Sequence, residues 1–286
     1  MRIVILSWSM QSQAFLKPQI NIIMASVNGK FITGKIGPTV YKKYRNKQVI
    51  QKKPVFTPSS HTEPSKIAAK IFGKASTLAM TLRNNLNPIT TDFTDGEMVN
   101  RLNSEVVHIL NQCKNIDKGI FDFRSDSFDR LNGFEFNQHS LVRNIFHVRP
   151  ELEVTGNKLK ISIPEMRLPQ ELNFPKEIRH CMLSFGLGIF DLTNGQHYFN
   201  PVQTTEIEYK YQADVIAPQQ FEFKIEPGCL CVTVISLQFL RNTFAGKMFY
   251  NTIDFNPVAI LKAFISDGKA AKAKTINWQE MGFEAG

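Results

Sequence analysis

Nine basic and aromatic residues near the N terminus have the types and the spacing that could bind an anionic partner. They surround the turn-forming pair Arg45-Asn46, so we expect them on a two-stranded β-ribbon. Lysine and arginine side chains contact phosphates or carboxylates, and tyrosine rings offer faces on which bases stack. The candidate residues are Lys35, Lys42, Lys43, Arg45, Lys47, Lys52 and Lys53, together with Tyr41 and Tyr44.

The net charge of the chain is concentrated around this ribbon. Residues 1–62 contain ten Lys or Arg and no Asp or Glu. Because the whole chain has 34 basic and 25 acidic residues, the remaining 224 residues hold 24 basic and 25 acidic side chains. The body is therefore close to neutral. Any role in binding nucleic acid or an acidic partner falls to the N-terminal arm.

Two classes of function fit this charge distribution. The first is a structural or interaction protein whose arm binds a second copy or another protein, with strand addition as a natural mode for an exposed hairpin. The second is a nucleic-acid-binding protein that uses the arm for phosphate contacts. A lysine-rich edge strand is an ordinary structural device and no known nucleic-acid module is evident, so we favour the first class. Glycan binding by the body, suggested by fold analogy, by Trp278 and by surface tyrosines, is a minor alternative.

The chain shows no catalytic signature. A nucleophile elbow, a zinc-protease helix, a Walker lysine, a dinucleotide-binding glycine pattern and paired carboxylates are all missing from the sequence. The FGKAS of residues 72–76 lacks the first glycine of a phosphate-binding loop. The SFGLG of residues 184–188 lies in a predicted strand, where glycines indicate close packing or a bulge. We therefore expect a non-enzymatic protein with no cofactor, metal or small-molecule substrate.

The cysteines and the first residues indicate the compartment. Cys113, Cys181, Cys229 and Cys231 have neither zinc-site spacing nor the density of a disulfide scaffold, so we expect reduced thiols. The apolar run of residues 3–6 is too short for a signal peptide or a membrane span. These features predict a cytoplasmic protein without membrane contact. We expect residues 1–23 to have no functional role, with Met24 as an alternative start.

Hydrophobic periodicity predicts two helices followed by strands. A helix begins at Thr62–Pro64 and ends at Asn87-Pro88, and a second begins at Thr94–Glu97. From Leu152 onward the period changes to two, with a hairpin around Gly156-Asn157 and six further strand candidates. The predicted fold class is α+β, mainly β, with an N-terminal basic β-hairpin, two amphipathic helices and a C-terminal antiparallel β-sandwich.

The predicted organisation has five segments. They are a poorly patterned leader (1–29), a basic β-hairpin arm (30–62), a helical and short-strand region (63–150), the antiparallel β-sandwich (151–268) and a tail (269–286). The Lys- and Ala-rich part of the tail is expected to be solvated, whereas Trp278, Met281 and Phe283 could dock its end.

Three motifs resemble an uncharacterised protein family of Bacteroidota whose members open with a GK-[IV]-G-x-[VI] hairpin that ends in basic residues and proline. They are GKIGPTVYKKYRNKQVIQKKP at residues 34–54, FGKAS at 72–76 and GFEFN at 133–137. The resemblance covers about residues 24–140. It implies an N-terminal hairpin, a helical middle and a β-rich C-terminal part, and it implies no activity.

Overall fold

The structure of the chain is a computed structural model that describes residues 25–53, 62–91, 93–115, 119–270 and 277–285. The chain divides into two compact units, Met1–Ser65 and Lys66–Gly286. The expectations for residues 1–23, and for most of the lysine-rich part of the tail, lie outside the described residues.

The first unit contains a four-stranded antiparallel sheet whose strands follow one another in chain order. The three connections are two-residue turns. Positive φ angles at Gly29, Gly37, Arg45 and Asn46 suit these turns, since tight hairpin turns favour such backbone conformations. The strands are β1 (Ala25–Asn28), β2 (Phe31–Ile36), β3 (Thr39–Tyr44) and β4 (Lys47–Lys52).

The predicted N-terminal hairpin is confirmed as β3 and β4, but it is part of a larger sheet than expected. The two-stranded ribbon is corrected to four strands, and β1 lies in the segment assigned to a leader. Strands of four to six residues joined by two-residue turns leave runs too short for a clear period of two. The sequence pattern therefore missed β1 and β2.

Two helices open the second part of the structure. Helix α1 spans Glu63–Thr90 and α2 spans Met98–Cys113. The predicted start of α1 is confirmed, but its predicted end is wrong, because the helix passes through Pro88. A proline removes only one backbone donor. The last turn is held by buried Ile89 and by Asn256, whose Nδ2 donates to the Thr90 carbonyl at 2.9 Å.

The remaining strands are mostly those predicted from the period-two pattern. They are β5 (Lys114–Asn115), β6 (Ile120–Phe121), β7 (Glu151–Thr155), β8 (Lys158–Ile163), β9 (Met166–Leu168), β10 (His180–Asp191), β11 (Gln196–Phe199), β12 (Gln203–Glu208), β13 (Asp214–Ile216), β14 (Gln219–Lys224), β15 (Leu230–Thr243), β16 (Gly246–Phe249), β17 (Val258–Ile265) and β18 (Gln279–Glu280).

The centre of the second unit is a seven-stranded sheet built on β10 and β15. These two strands pair antiparallel from His180↔Leu240 to Phe190↔Leu230. Strands β11 and β12 pair with β10, strands β16 and β17 pair with β15, and β18 pairs with β11. The smaller sheets are β14-β8-β7, β13-β9 and β5-β6.

The two central strands are covered on both faces. Leu230, Val232 and Val234 of β15 belong to the hydrophobic cluster that includes both helices. Cys231, Ile235 and Leu237 belong to a second cluster that includes the buried residues of β8 and β14. The fold is thus mainly β, an antiparallel sandwich with two helices on the outer face of the large sheet. The predicted fold class is confirmed.

The SFGLG segment brings α1 close to β10. A Cβ added at Gly186 would lie 2.6 Å from Phe199 Cζ on β11 and 3.0 Å from Ile89 Cδ1, and one added at Gly188 would lie 2.4 Å from Asn85 Oδ1. Side chains at these positions would collide with the helix. Close packing, one of the two explanations given by the sequence, accounts for both glycines.

The end of the chain docks on the large sheet. Strand β18 pairs with β11, and the backbone N–H of Met281 donates to the Gly195 carbonyl at 2.8 Å. Phe283 is fully buried. The apolar residues of the tail therefore form part of the core, as their sequence indicated.

Candidate interaction surface

The register of the N-terminal sheet separates the candidate residues onto two faces. Residues directly opposite one another in an antiparallel pair share a face, and neighbours along a strand alternate. Lys35 lies opposite Val40, and Tyr44 lies opposite Lys47. Lys42 shares the parity of Val40 and Tyr44. One face, which we call face 1, therefore carries Lys35, Lys42, Tyr44 and Lys47.

The opposite face, which we call face 2, holds a smaller set. Lys43 lies opposite Gln48, and Lys52 lies opposite Thr39. Tyr41 shares their parity, so face 2 carries Tyr41, Lys43 and Lys52. Arg45 occupies the turn between β3 and β4, and Lys53 follows β4 and donates its backbone N–H to the Pro38 carbonyl at 2.6 Å. The predicted residues thus share one sheet without sharing one face.

Cations within the sheet already lie against its aromatic rings. Lys43 Nζ lies 4.9 Å and Lys30 Nζ lies 5.6 Å from the centre of the Phe31 ring. The Arg45 guanidinium lies 5.1 Å from the Tyr44 ring centre. Each such contact at an exposed site is worth about 0.5–1 kcal/mol. An incoming aromatic base would have to displace Arg45 from Tyr44 or stack on the other side of the ring.

A glutamine side chain links strands at the point where the β2–β3 ladder ends. These two strands pair only over residues 34–36 and 39–41. Gln48 Oε1 accepts from the Ile32 N–H at 2.8 Å, and its Nε2 donates to the carbonyls of Ile32 at 2.9 Å and Lys42 at 3.1 Å. An amide side chain thus replaces part of the missing backbone ladder.

The sheet leaves most of its side chains in solvent. In residues 25–53 Phe31 alone is buried, while Val27, Ile36, Tyr44 and Ile50 are exposed. Small sheets usually need a hydrophobic face packed on something else. The exposed apolar side chains are therefore available to a partner.

Charge on this sheet has a single sign. Residues 25–53 contain eight Lys or Arg and no Asp or Glu. The cations repel one another across distances shorter than the Debye length of about 10 Å at 0.1 M salt. An acidic surface that approached either face would relieve this repulsion.

The polar groups of the second unit have structural roles. Asp95 Oδ1 accepts from the Glu97 N–H at 2.8 Å, while Oδ2 accepts from the Gln138 N–H at 3.0 Å and pairs with Arg101 at 2.5 Å. Burial alone would raise the pKa of Asp95, but the backbone donors and Arg101 outweigh it and hold the pKa below its ordinary value. The carboxylate fixes the start of α2.

A second carboxylate nearby has the opposite pKa shift. Burial raises the pKa of Glu135 above its ordinary value, although Oε2 accepts from the Val142 N–H at 3.1 Å. Two carboxyl groups with opposite shifts are typical of acid–base catalysis. Here each of the two carboxylates accepts hydrogen bonds from backbone N–H groups. The pair is therefore better explained by its role in the fold.

Two histidines join strands to their neighbours. Asn85 Nδ2 donates to His197 Nδ1 at 2.8 Å, and burial lowers the pKa of His197. His180 Nδ1 lies 2.9 Å from Glu206 Oε1, and its Nε2 lies 3.1 Å from Asn242 Nδ2. Both rings are buried and hydrogen-bonded. They connect elements of the fold.

Three of the four thiols are buried in the core. Cys181, Cys229 and Cys231 are buried, and burial raises the pKa of each thiol, that of Cys231 to about 12. A reactive cysteine must be a thiolate near neutral pH. These three residues pack as small apolar side chains.

An open polar depression of about 910 Å³ lies beside the end of α2. Asn115 Nδ2 donates to Asp122 at 2.8 Å, and Arg130 pairs with Glu105 at 2.8 Å.

Across the described ranges, no three His, Cys, Asp or Glu side chains come together in a way that could hold a metal ion. Neither of the two described α-helices is long and apolar enough to cross a membrane.

Trp278, the residue behind the glycan alternative, packs on the core. Its ring meets Tyr198 edge-on, with centres 4.7 Å apart, and it lies against the cluster behind β10. The ring is only partly exposed. Glycan binding by the body stays a prediction.

The chain matches no family model, no curated protein and no solved structure. The resemblance to the Bacteroidota family therefore rests on its motifs. The order of elements it implies, an N-terminal hairpin, helices and then strands, agrees with the observed order.

The sequence analysis missed one further exposed surface, on the hairpin of β15 and β16. Phe244 is fully exposed at its tip, and Met248 and Phe249 on β16 are 58% and 65% exposed. The signal was present in the sequence, because phenylalanine in a tight turn departs from the usual turn residues.

Proposed function

We propose that the chain is a non-enzymatic interaction protein whose N-terminal sheet binds an acidic surface of a protein, either a second copy or another chain. One observation carries this proposal. The sheet has eight cations and no anion in residues 25–53, and apolar side chains remain exposed among them. Charge steers the encounter and apolar burial stabilises the complex.

The distribution of charge over two faces favours a protein partner. A single nucleic-acid strand runs along one groove or one face, so it would use only part of the charge. A protein surface, or strand addition at β1 or β4, can enclose both faces of a sheet. Lys42 and Lys47 on face 1 and Lys43 and Lys52 on face 2 would then contribute alike.

Nucleic-acid binding is the second candidate, and one observation favours it. Face 1 places Tyr44, which is 56% exposed, among Lys35, Lys42 and Lys47. A base could stack on this ring while the lysines contact phosphates. This function requires that the side chains of face 1 contact the nucleic acid and that those of face 2 do not.

Two double variants with equal charge separate the candidates. K42Q/K47Q removes two cations from face 1, and K43Q/K52Q removes two from face 2. The probes are poly-L-glutamate and a single-stranded oligo(dT), each followed by fluorescence anisotropy over a range of salt concentrations. Thermal unfolding of each variant is the control, because substitutions of exposed side chains usually change stability by less than about 0.5 kcal/mol.

We expect both variants to weaken polyglutamate binding to a similar extent, by roughly 2- to 30-fold, if each lost pair contributes as exposed ion pairs usually do. Oligo(dT) should bind weakly to every form. The proposal is overturned by two results together: the wild type binds oligo(dT) more tightly than polyglutamate, and K42Q/K47Q, but not K43Q/K52Q, abolishes oligo(dT) binding. In that case the salt slope should also fall by roughly 0.7 per lost contact.

We also propose a cytoplasmic location. The four cysteines are free thiols, and such thiols persist in reducing compartments.

A further inference from the structure

Strand β16 forms an open edge of the large sheet. Strand β15 pairs on one side with β10, and on its other side with β17 over residues 230–236 and with β16 over residues 240–243. The outer edge of β17 is covered, since Gly133 and Phe136 donate backbone N–H groups to it and Phe134 accepts one from it. Among the described residues, β16 has no such cover.

The hydrogen-bonding pattern identifies the free groups of β16. The backbone N–H of Tyr250 donates to the Phe239 carbonyl at 2.8 Å, which makes this a hydrogen-bonded pair. Such pairs alternate with non-hydrogen-bonded pairs along an antiparallel ladder. Met248 therefore bonds towards β15, and the N–H and C=O groups of Lys247 and Phe249 point outward.

The open edge lacks the usual protection against strand pairing. Natural sheets blunt their edges with charged residues, proline or bulges. The one cation on β16, Lys247, makes an ion pair with Glu206, which itself hydrogen-bonds His180. The remaining large side chains, Met248 and Phe249, are exposed and apolar.

We propose that a second copy of the chain adds to this edge, with β16 pairing antiparallel to β16 across a two-fold axis at Met248. In this register Lys247 of each copy forms a hydrogen-bonded pair with Phe249 of the other. The two pairs make four backbone hydrogen bonds. The two Met248 side chains meet as a non-hydrogen-bonded pair, the arrangement in which opposing side chains lie closest.

Charge and burial together select this register among the two-fold alternatives. An axis at Lys247 would place the two lysines directly opposite, and like charges in that position are destabilising. An axis at Phe249 would pair Lys247 with Asn251, which lies beyond the end of β16 and is buried within its own chain. The axis at Met248 instead sets each Lys247 beside a Phe249 ring, so that the aliphatic part of the lysine packs on the ring while Nζ keeps its ion pair with Glu206.

The same register also brings the hairpin tip towards an exposed apolar side chain. Counting along the strands places the fully exposed Phe244 of one copy beside the segment that contains Ile253 of the other, and Ile253 is exposed as well. A strand of four residues with these side chains buries less than the roughly 800 Å² per partner of a standard interface. We therefore expect a weak dimer that depends on concentration.

Cysteine crosslinking of the full chain tests the pairing and its register. In a Cys113→Ser background, which removes the one native thiol that is not buried, we introduce Met248→Cys, Lys247→Cys or Phe249→Cys separately. Opposing Cβ atoms lie about 4.5–5.5 Å apart, whereas positions displaced by two residues lie about 7–8 Å apart. A disulfide needs a Cβ separation of about 3.5–4.5 Å, which only the first arrangement approaches.

We expect Met248→Cys to form a disulfide-linked dimer of twice 32.6 kDa under mild oxidation, and the other two variants to remain largely monomeric. Met248→Lys should abolish the dimer seen by light scattering at high protein concentration. Val154→Lys, at an exposed position on the edge strand β7, is the matched control and should leave the dimer intact.

Three results would overturn the proposal. The first is faster crosslinking of Lys247→Cys or Phe249→Cys than of Met248→Cys. The second is a folded wild type that stays monomeric at high concentration while no variant crosslinks. The third is loss of the Met248→Cys crosslink in the K42Q/K47Q/K43Q/K52Q background, which would assign the assembly to the N-terminal sheet. Retention of the crosslink in that background would separate this dimer from the proposed function.

Discussion

Replacing Gly188 by alanine tests whether the SFGLG segment serves helix packing. The added Cβ would lie 2.4 Å from Asn85 Oδ1, 2.9 Å from Phe190 Cε2 and 3.1 Å from Leu86 Cδ2. All three distances are shorter than van der Waals contact. Either Asn85 moves, with loss of its hydrogen bond to His197, or α1 shifts away from β10.

The expected cost follows from these contacts. Overpacking a well-packed core costs about 1–3 kcal/mol, and loss of one buried hydrogen bond costs about 1 kcal/mol more. Alanine recovers roughly 0.5–1 kcal/mol, because glycine is the less favourable residue within a strand. The net loss is about 2 kcal/mol. For a domain of this size it corresponds to a fall in Tm of about 4–8 °C.

Gly73→Ala is the matched control. Gly73 lies in α1, and nothing lies within 4 Å of the position that its Cβ would occupy. The same substitution should there raise stability by up to about 1 kcal/mol, because alanine favours the helix. Thermal and urea unfolding of both variants gives the comparison. If Gly188→Ala were as stable as the wild type, the proposed contact between α1 and β10 would be refuted.

Two further predictions concern buried polar groups. Asn256→Ala removes the hydrogen bonds from its Nδ2 to the carbonyls of Thr90 and Phe93, and the one that its Oδ1 accepts from Asn251, so we expect urea unfolding to show a loss of about 2–4 kcal/mol. The two shifted carboxyl groups predict opposite pH effects. The contribution of Asp95 to the free energy of unfolding is present above its unfolded pKa and is lost as the pH falls through the lower folded pKa. Asp95→Asn should therefore remove this loss of stability at acid pH. Glu135 has a raised folded pKa, so its contribution falls as pH rises above 4.5, and Glu135→Gln should flatten that decline in a series of urea titrations at different pH values.

The strands of the body were predictable because their sequence pattern matches their burial. The β7–β8 hairpin turns at Gly156-Asn157. Along β8 the buried residues Leu159, Ile161 and Ile163 alternate with more exposed neighbours. Strand β15 is apolar at successive positions, and the structure buries it between helices and strands. In such segments the local pattern and the tertiary environment agree.

The candidate surface was predictable in its residues and not in its geometry. Lys42 and Lys43 are neighbours on β3, so alternation alone separates them onto opposite faces. Which other side chains join each face depends on the turn at Gly37-Pro38, which sets the pairing of β2 with β3. Sequence pattern alone does not determine that register, because β2 contains glycine and polar residues at successive positions.

The β15–β16 hairpin shows where sequence reasoning fails for a physical reason. The segment reads as a plausible strand and turn, yet Phe244 and Ala245 occupy positions that usually favour polar residues or glycine. A pattern-based reading assigns apolar residues to the core, but Phe244 lies beyond the end of every neighbouring strand and has no core to enter. Conflicts between local preference and fold are expected at functional positions. A second copy that covers Met248, Phe249 and Phe244 would resolve this conflict, because apolar side chains that are exposed in a single chain would then be buried in the interface between two.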